Sequence, residues 1–191
     1  ASFLDSNTLE VFLLDGRELR ITTQYTIIAA GSRPALFGQP IDSPDIMNSN
    51  VAVNVEEIPE RLLVIGGGYI GLELGSVYAT LGSEVTLVEL TDGLLPGVDR
   101  DLVRPLAQHL EKLFYKIHLK TLVKQLKPQK KGIAVEIEGP EIKKPRQNFD
   151  KVLVCVGRKP NSSGLGLKNT KVSVDEKGFI HIDEQRQTTD P

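Results

Sequence analysis

Cysteine is almost absent from this chain, because Cys155 is the only one among 191 residues. A single cysteine excludes an intrachain disulfide, a CxxC redox pair and a cysteine-rich metal site. This low content is typical of cytoplasmic proteins, and a cytoplasmic location is what we expect. Cys155 itself lies in the apolar run VLVCV. A thiol in such a run is expected to be a small buried hydrophobe rather than a nucleophile.

Other patterns that would assign a function are missing as well. No apolar run reaches transmembrane length, and the first residues, ASFLDSNTLEV, do not follow a signal-peptide pattern. A net charge of -2 gives no electrostatic reason to expect nucleic acid or a membrane as a partner. The sequence has no nucleophile elbow, zinc motif or Walker loop. The scattered His109, His118 and His181 do not have the spacing of metal ligands, so no metal is expected.

The stretch LLVIGGGYIGLE, residues 62–73, joins a short apolar strand to a helix through spaced glycines. In the pattern Gly66-x-Gly68-x-x-Gly71, the first glycine allows a tight turn and the second lets the backbone approach a phosphate. The third lets the helix pack closely on the strand. The N-terminus of the helix adds free amides and a positive dipole, which favour an anion. With a strand before it and a helix after it, the pattern predicts a site for a dinucleotide pyrophosphate.

Apolar periodicity places this turn in a βαβαβ unit. A helix is predicted over 69–81, with Gly82 as its stop and an apolar stripe formed by Ile70, Leu74, Val77, Tyr78 and Leu81. A second strand is predicted over 85–89, a second helix beginning near Asp99 or Asp101, and a third strand over 117–120. Antiparallel strands over 123–126 and 133–138 and a buried strand over 152–156 follow. This order predicts an α/β fold, a Rossmann-like parallel sheet with a β-meander crossover.

The regions outside this unit have different patterns. Residues 9–21 predict a hairpin around Asp15-Gly16, and residues 171–183 predict a last hairpin. The apolar run Tyr25–Ala30 predicts a compact strand that ends at Gly31. Residues 35–60 contain prolines, many polar residues and little periodicity, which predicts a connection between domains.

Two acidic residues are candidates for cofactor contacts. Glu89 ends the second predicted strand, where a carboxylate can accept hydrogen bonds from the ribose hydroxyls of an adenosine. It would repel a 2′-phosphate, and the following LTDGLLPG contains no Arg or Lys, so NAD is favoured over NADP. The alternative is a solvated glutamate at a strand end. Glu73 either compensates the dipole of the helix or lies near the nicotinamide end of the cofactor.

Two similar junctions, TIIAAGSRP and VLVCVGRKPN, bracket the predicted dinucleotide unit. In each, an apolar run ends in a glycine, which is Gly31 in the first and Gly157 in the second. Either glycine alone is explained by a simple turn. Because the two junctions occur as a pair around a nucleotide domain, we expect them to have a related role.

The segments quoted above, with LLPGVDRDLV and GFIHIDEQRQT, resemble the pyridine nucleotide–disulfide oxidoreductases, and most closely their dihydrolipoamide dehydrogenase branch. In that branch electrons pass from dihydrolipoamide to a redox-active cysteine pair, then to FAD, and then as hydride to NAD. The resemblance implies an oxidoreductase that is a flavoprotein and a homodimer. It also implies that the enzyme acts on dihydrolipoamide carried by a lipoyl domain, within a 2-oxo acid dehydrogenase complex.

The resemblance also assigns the site residues. It implies that the contacts to the pyrophosphate and nicotinamide side of NAD are Gly66, Gly67, Gly68, Tyr69, Ile70, Gly71, Leu72 and Glu73. Glu89 corresponds to the residue that binds the adenosine ribose, Val123 to the one beside the adenine, and Gly157 to the one that approaches the nicotinamide. The second FAD contact of the family corresponds to Ala30, Gly31 and Ser32.

The chain also departs from the family pattern. No GxGxxG for FAD precedes residue 62, one cysteine cannot form the CxxxxC pair, and the Gly-Asp motif for FAD would follow TTDP. The dimerisation domain with its His–Glu pair is also missing. We therefore interpret residues 46–158 as the NAD-binding domain and residues 1–45 and 159–191 as incomplete FAD-domain segments. Such a central piece of a larger enzyme is expected to be inactive by itself, and no catalytic residue is assigned.

Two alternatives to the dihydrolipoamide dehydrogenase branch remain open. A tyrosine at position 69 resembles the glutathione reductase branch, which usually prefers NADP, although Glu89 argues for NAD. The first alternative is therefore a sister flavoprotein, similar to glutathione reductase, mercuric reductase or NADH oxidase. The second is a stand-alone dinucleotide-binding module, against which the junction at Gly31 argues.

Overall fold

The computed structural model describes residues 1–35, 37–38 and 41–190, which form two units, Pro34–Gly157 and the segments on either side of it. Positions 36, 39 and 40 of the predicted connection lie outside the described residues, as does position 191. The strands are β1 Ser2–Phe3, β2 Thr8–Phe12, β3 Glu18–Thr22, β4 Ser32–Pro34, β5 Ile46–Asn48, β6 Arg61–Ile65, β7 Glu84–Val88, β8 Lys116–His118, β9 Leu122–Pro128, β10 Ile133–Glu138, β11 Arg146–Phe149, β12 Lys151–Val154 and β13 Arg158–Pro160. The helices are α1 Ser49–Ala52, α2 Tyr69–Thr80 and α3 Arg100–Leu113, with a 3-10 turn over Leu167–Asn169.

A parallel five-stranded sheet in the order β5-β12-β6-β7-β8 forms the centre of the unit Pro34–Gly157. The three central strands, β12, β6 and β7, are largely apolar and buried after their first residue, because both faces of the sheet are covered. Leu62 and Val64 pack into one core with α2 and α3, whereas Leu63 and Ile65 pack into a second core with the meander β9–β11. The predicted α/β fold is confirmed, and the carboxyl ends of β6, β7 and β12 meet at one edge of the sheet.

Helix α2 has close to the predicted length, but only part of its predicted packing face is buried. It ends before Gly82, whose φ of 109° fits the left-handed position after a helix. Its buried residues are Gly71, Leu72, Gly75 and Tyr78, whereas Val77 of the predicted apolar stripe is exposed. Tyr78 and Leu74 of the stripe do pack in the core, so the prediction of the stripe was wrong only in part. Two glycines let the helix backbone itself approach the sheet, which moves the packing face away from Val77.

Three short elements in this unit were not predicted. Strand β5 and helix α1 lie within the residues interpreted as an irregular connection, so that interpretation was wrong for residues 46–52. Asn48 is the N-cap of α1, and its side-chain oxygen accepts hydrogen bonds from the amides of Asn50 and Val51. Strand β11 has the polar sequence RQNF, and only Phe149 is buried. Elements of three or four residues are too short for periodicity to reveal them.

The other unit contains the predicted hairpin, in which β2 and β3 pair antiparallel and β1 adds to β2. The predicted strand over Tyr25–Ala30 was wrong, because these residues form no strand and the side chains of Tyr25 and Ile27 are 88% and 92% exposed. An apolar strand needs a neighbour to pair with, and no described strand pairs with this run. The last hairpin is reduced to an isolated bridge between Val174 and Ile180. No helix among the described residues is long and apolar enough to cross a membrane.

Candidate functional site

The turn after β6 is shaped by two glycines that pack against neighbouring backbone. Gly66 has a φ of 110°, donates its N–H to the carbonyl of Val88 over 2.9 Å, and would overlap the carbonyl of Cys155 if it carried a Cβ. A Cβ at Gly71, in the first turn of α2, would overlap the carbonyl of Gly66. Both positions therefore require glycine so that α2 can begin directly on the carboxyl edge of the sheet.

Gly68 is in a different environment. It is the N-cap of α2, with φ −78° and ψ 174°, and no side chain caps the helix. A Cβ at Gly68 would meet no heavy atom of the described part of the chain within 4 Å. The first amides of an α-helix have no acceptor within the helix, and they carry the positive end of the dipole. The space beside Gly68 is therefore suited to an anion such as a phosphate.

Gly67 connects the turn to the acidic residue after β7. Its N–H donates to Oε2 of Glu89 over 2.6 Å, and its carbonyl accepts from the N–H of Leu95 over 2.9 Å. A Cβ at Gly67 would come within 2.9 Å of Cδ2 of Leu94 and 3.1 Å of Cγ of Glu89. The backbone of Gly67 is therefore enclosed by the glutamate on one side and the 94–95 loop on the other.

Glu89 is 8% exposed and its carboxylate is fixed by three donors. Oε2 accepts from the amide of Gly67, while Oε1 accepts from the N–H of Thr91 over 2.7 Å and from its hydroxyl over 2.8 Å. A carboxylate has about four acceptor positions, so one position, on Oε2, remains for a further donor. A solvated glutamate at a strand end would not be held in this way, so the alternative interpretation of Glu89 is not the arrangement observed.

The other residues predicted to contact NAD in this turn differ in their exposure to solvent. The side chain of Tyr69 is 62% exposed, Glu73 is also exposed and Ile70 is half-buried. The side chain of Leu72 packs in the core, so it faces away from the open space at Gly68.

Val123 and Gly157 lie near the carboxyl edge of the sheet, because residues two positions before each of them contact Glu89 and Gly66. Thr121 donates its N–H to the carbonyl of Glu89 over 2.9 Å, which brings the start of β9 to this edge, but the side chain of Val123 is buried in the meander core. Gly157 is two residues after Cys155, whose carbonyl faces Gly66. A contact of Val123 with an adenine would therefore use the backbone or the edge of the side chain.

In the other unit, Ala30, Gly31 and Ser32 are held together by two residues that the sequence analysis did not select. The N–H of Asn161 donates to the carbonyl of Gly31 over 3.0 Å, and its side-chain amide donates to that of Ala30 over 3.0 Å. The guanidinium of Arg158 donates to the hydroxyl of Ser32 over 2.7 Å and also to its carbonyl. The available signal was the motif VGRKPN, which contains both residues. A cavity of about 120 Å³ lies beside this cluster.

The remaining candidate residues do not form a catalytic group. Burial raises the pKa of the Cys155 thiol to about 11, so the thiol stays protonated at neutral pH. His118 is buried and its Nδ1 has no hydrogen-bond partner among the described residues. Within the same residues, no group of three or more His, Cys, Asp or Glu side chains is arranged to hold a metal ion.

Comparison with known proteins finds relatives that belong to one family of oxidoreductases. The sequence pattern of the family described as pyridine nucleotide-disulphide oxidoreductase matches residues 2–191. A dihydrolipoyl dehydrogenase of Haemophilus influenzae is 41% identical over 192 residues, which cover 100% of this chain and 40% of the relative. A dihydrolipoamide dehydrogenase of Chaetomium thermophilum is 40% identical over 195 residues, covering 100% of this chain and 38% of the relative. The chain thus spans about 40% of the length of these curated relatives.

A solved structure has the same fold. The copper(II) complex of RclA, a flavoprotein disulfide reductase of Escherichia coli induced by HOCl, aligns with a TM-score of 0.84 and 28% identity over 100% of this chain and 42% of its own. The resemblance found in the sequence and the Rossmann-like sheet are thereby confirmed. The chain belongs to the pyridine nucleotide-disulphide oxidoreductase family, and its similar relatives include dihydrolipoyl dehydrogenases.

Proposed function

We propose that residues 34–157 bind NAD(H), and that a protein containing this chain is a dihydrolipoyl dehydrogenase. The observation that carries the proposal is the position of Glu89, which is buried and hydrogen-bonded to the amide of Gly67 in the glycine turn. An acidic residue in this position can receive a ribose hydroxyl on the one acceptor position that remains.

The residues of this unit fit NAD in three respects. The first amides of α2 and the open space at Gly68 can receive the pyrophosphate. The carboxylate of Glu89 lies at the end of the neighbouring strand, where it can bind the adenosine ribose and would repel a 2′-phosphate. Tyr69 and Glu73 are exposed on the first turns of α2, on the proposed nicotinamide side. Bound NAD would supply the hydride acceptor of the reaction, and the protein would orient it.

The rest of the proposal concerns the complete enzyme. Ala30, Gly31 and Ser32 would contact FAD, held in place by Arg158 and Asn161. The dithiol chemistry of the proposed reaction needs two cysteines, whereas these 191 residues contain one, so another part of the enzyme would have to supply the redox pair. The substrate would be dihydrolipoamide on a lipoyl domain of a 2-oxo acid dehydrogenase complex, and the enzyme would be a homodimer. The cytoplasmic location expected from the cysteine content stays a prediction.

A second candidate is a sister flavoprotein of the same family. The observation that favours it is Tyr69, which lies next to Gly68 with 62% of its surface exposed, where it can cover a bound cofactor. A sister flavoprotein of the glutathione reductase branch predicts a preference for NADP over NAD. The nucleotide preference therefore separates the dihydrolipoyl dehydrogenase from a sister flavoprotein of the glutathione reductase type, whereas a protein of the NADH oxidase type is distinguished by its cysteine motif.

Calorimetric titration of the purified protein with NAD and with NADP tests the proposal. We expect NAD to bind at least about tenfold more tightly, because a 2′-phosphate would lie beside the carboxylate of Glu89 and lose about 1.4 kcal/mol or more. In Glu89→Gln the ratio of the two affinities should approach one. Glu84→Gln, an exposed glutamate at the start of the same strand, is the matched control and should keep the wild-type ratio.

Glu89→Gln is also expected to weaken NAD binding itself. Both carboxylate oxygens accept from N–H or O–H donors, so one end of a glutamine amide would confront a donor with its own NH₂ group. A buried donor left without an acceptor costs about 1–3 kcal/mol, which would appear in stability and in NAD affinity. Tighter binding of NADP than of NAD by the wild-type protein would contradict the proposed function.

A further inference from the structure

The loop from residue 90 to residue 99 folds back onto the glycine turn. The N–H of Leu95 donates to the carbonyl of Gly67 over 2.9 Å, and the side chain of Leu94 packs against Gly67. Leu95 has a φ of 48°, in the left-handed region that only a minority of non-glycine residues adopt. A residue in this conformation is held there by its surroundings, because the conformation is unfavourable by itself.

The group that holds this loop is the guanidinium of Arg100. Its Nη1 donates to the carbonyl of Leu94 over 2.9 Å, and its Nη2 donates to the carbonyls of Leu95 and Val98 over 2.6 and 2.7 Å. Its Nε also donates to the carbonyl of Val98, over 3.0 Å. Four of the five N–H donors of the guanidinium are thus directed at carbonyls of one loop.

The position of Arg100 in its own helix is electrostatically unfavourable. It is the first residue of α3, where the positive end of the helix dipole disfavours a cation. The neighbouring Arg104, one turn later, has no hydrogen bond or ion pair among the described residues. The loop carbonyls, not the helix, therefore account for the placement of the Arg100 charge.

These contacts form a continuous connection to the nucleotide site. Arg100 fixes the carbonyls of the loop, and the loop fixes Gly67 through the amide of Leu95 and the side chain of Leu94. On its other side, Gly67 donates to the carboxylate of Glu89. We propose that Arg100 is a positioning residue for the dinucleotide site, an inference that rests on the proposed NAD binding. Because only one of its N–H groups remains free, its charge is committed to the loop and does not serve a 2′-phosphate.

The test compares Arg100→Gln with Arg104→Gln, a matched control that removes the same charge one turn away on the same helix. The purified protein and its variants are titrated with NAD, and hydrogen exchange is measured for the peptide covering residues 90–99. Arg100→Gln is expected to weaken NAD binding about tenfold and to accelerate exchange at the Leu95 amide. Arg104→Gln should stay within about twofold of wild type in both measurements.

Two further variants distinguish positioning from general stabilisation. Arg100→Lys keeps the positive charge but lacks the planar guanidinium group that directs several N–H donors at the loop carbonyls. Its NAD affinity should therefore fall between those of wild type and Arg100→Gln. Because Arg100 and Glu89 act on the same Gly67, their Gln variants should be non-additive in NAD affinity when combined. Arg104→Gln and Glu89→Gln should be additive. A loss caused only by lower stability would be additive in both pairs.

The outcomes separate this inference from the proposed function. Wild-type affinity and unchanged exchange in Arg100→Gln would overturn the role of Arg100 while leaving NAD binding intact. Additive behaviour of Arg100→Gln with Glu89→Gln would overturn it as well. If the wild-type protein does not bind NAD, the proposed function and the positioning role fail together. The exchange measurement then still decides whether Arg100 holds the loop.

Discussion

Replacing Gly68 by alanine is expected to weaken nucleotide binding while leaving the fold stable. Gly68 has φ −78° and ψ 174°, a conformation open to alanine, and a Cβ would meet no described atom within 4 Å. Alanine is a poorer N-cap than glycine by about 0.5–1 kcal/mol. It also restricts the unfolded chain, which favours the folded state by about 0.4–1 kcal/mol. The two terms offset each other, so the free energy of unfolding should change by less than about 0.5 kcal/mol.

The effect on NAD affinity is much larger, because the added methyl group would occupy the space proposed for the pyrophosphate. If one hydrogen bond between a backbone amide and a charged phosphate is lost, the loss is about 1.5–3 kcal/mol. That corresponds to NAD affinity about 10- to 150-fold weaker. Gly68→Ala should therefore separate binding from stability.

Two other glycines, one inside α2 and one just beyond its C-terminus, serve as controls. In Gly71→Ala the methyl would overlap the carbonyl of Gly66, so stability should fall by about 2 kcal/mol even after the gain of about 1 kcal/mol in helix propensity. Gly82 lies past the other end of α2 with φ 109° and no described atom near its Cβ position. Gly82→Ala should cost about 1–2 kcal/mol of stability by backbone strain alone, with NAD affinity unchanged.

Urea denaturation measures the free energy of unfolding of the three variants, and calorimetric titration measures their NAD affinity. The expected pattern is a crossover, in which Gly68→Ala loses binding only and Gly82→Ala loses stability only. The reasoning is refuted if Gly68→Ala binds NAD as wild type does. It is also refuted if the affinity of Gly68→Ala falls only in proportion to a loss of stability as large as that of Gly82→Ala.

Two further predictions concern titratable groups whose pKa is shifted by burial, His118, which is buried, and Cys155, which is half-buried. Burial, and to a smaller extent Lys116, lowers the pKa of His118 below 6.5, while Glu141 acts in the opposite direction. The folded state therefore favours the neutral ring, and stability should fall as the pH drops from 7 through 6.5 toward the lowered value. His118→Gln should flatten this fall in denaturation between pH 7 and 5, and an unchanged slope would contradict the assignment. Burial raises the pKa of Cys155 from 9.0 to about 11, so iodoacetamide at pH 8 should alkylate the native thiol about 100-fold more slowly than the denatured one. Mass spectrometry measures both rates, and a difference of less than about tenfold would contradict the raised pKa of the thiol.

Much of the central sheet could be predicted because its residues are constrained on both faces. Leu62–Ile65 are buried alternately against the helices and against the meander, which leaves a continuous apolar run that reads as a parallel strand. Tyr25–Ala30 has a similar composition but forms no strand. Composition reports how apolar a run is, whereas strand formation also needs neighbours to pair with, and no described strand supplies them.

The candidate site also contains residues that could be predicted from the sequence and contacts that could not. Gly66 and Gly71 could be predicted because their role depends on the backbone of a standard turn. Glu89 could be predicted as a candidate from its place at the end of a strand, but its hydrogen bonds with Thr91 could not. The sequence analysis did not select Arg100, because its hydrogen-bond partners are backbone carbonyls and every residue has one. Whether those carbonyls point toward Arg100 depends on the conformation of the loop, which no sequence pattern indicates.

The two ends of the unit Pro34–Gly157 meet, because the N–H of Ala35 donates to the carbonyl of Gly157 over 2.9 Å. Strand β12, close to the end of this unit, lies between β5 and β6, which come about 100 residues earlier in the chain. On a ribosome, the glycine turn therefore cannot be completed until Cys155 has emerged, since the carbonyl of Cys155 is part of its packing. A unit whose two ends are adjacent also tolerates circular permutation, and it can be inserted as a whole into another protein.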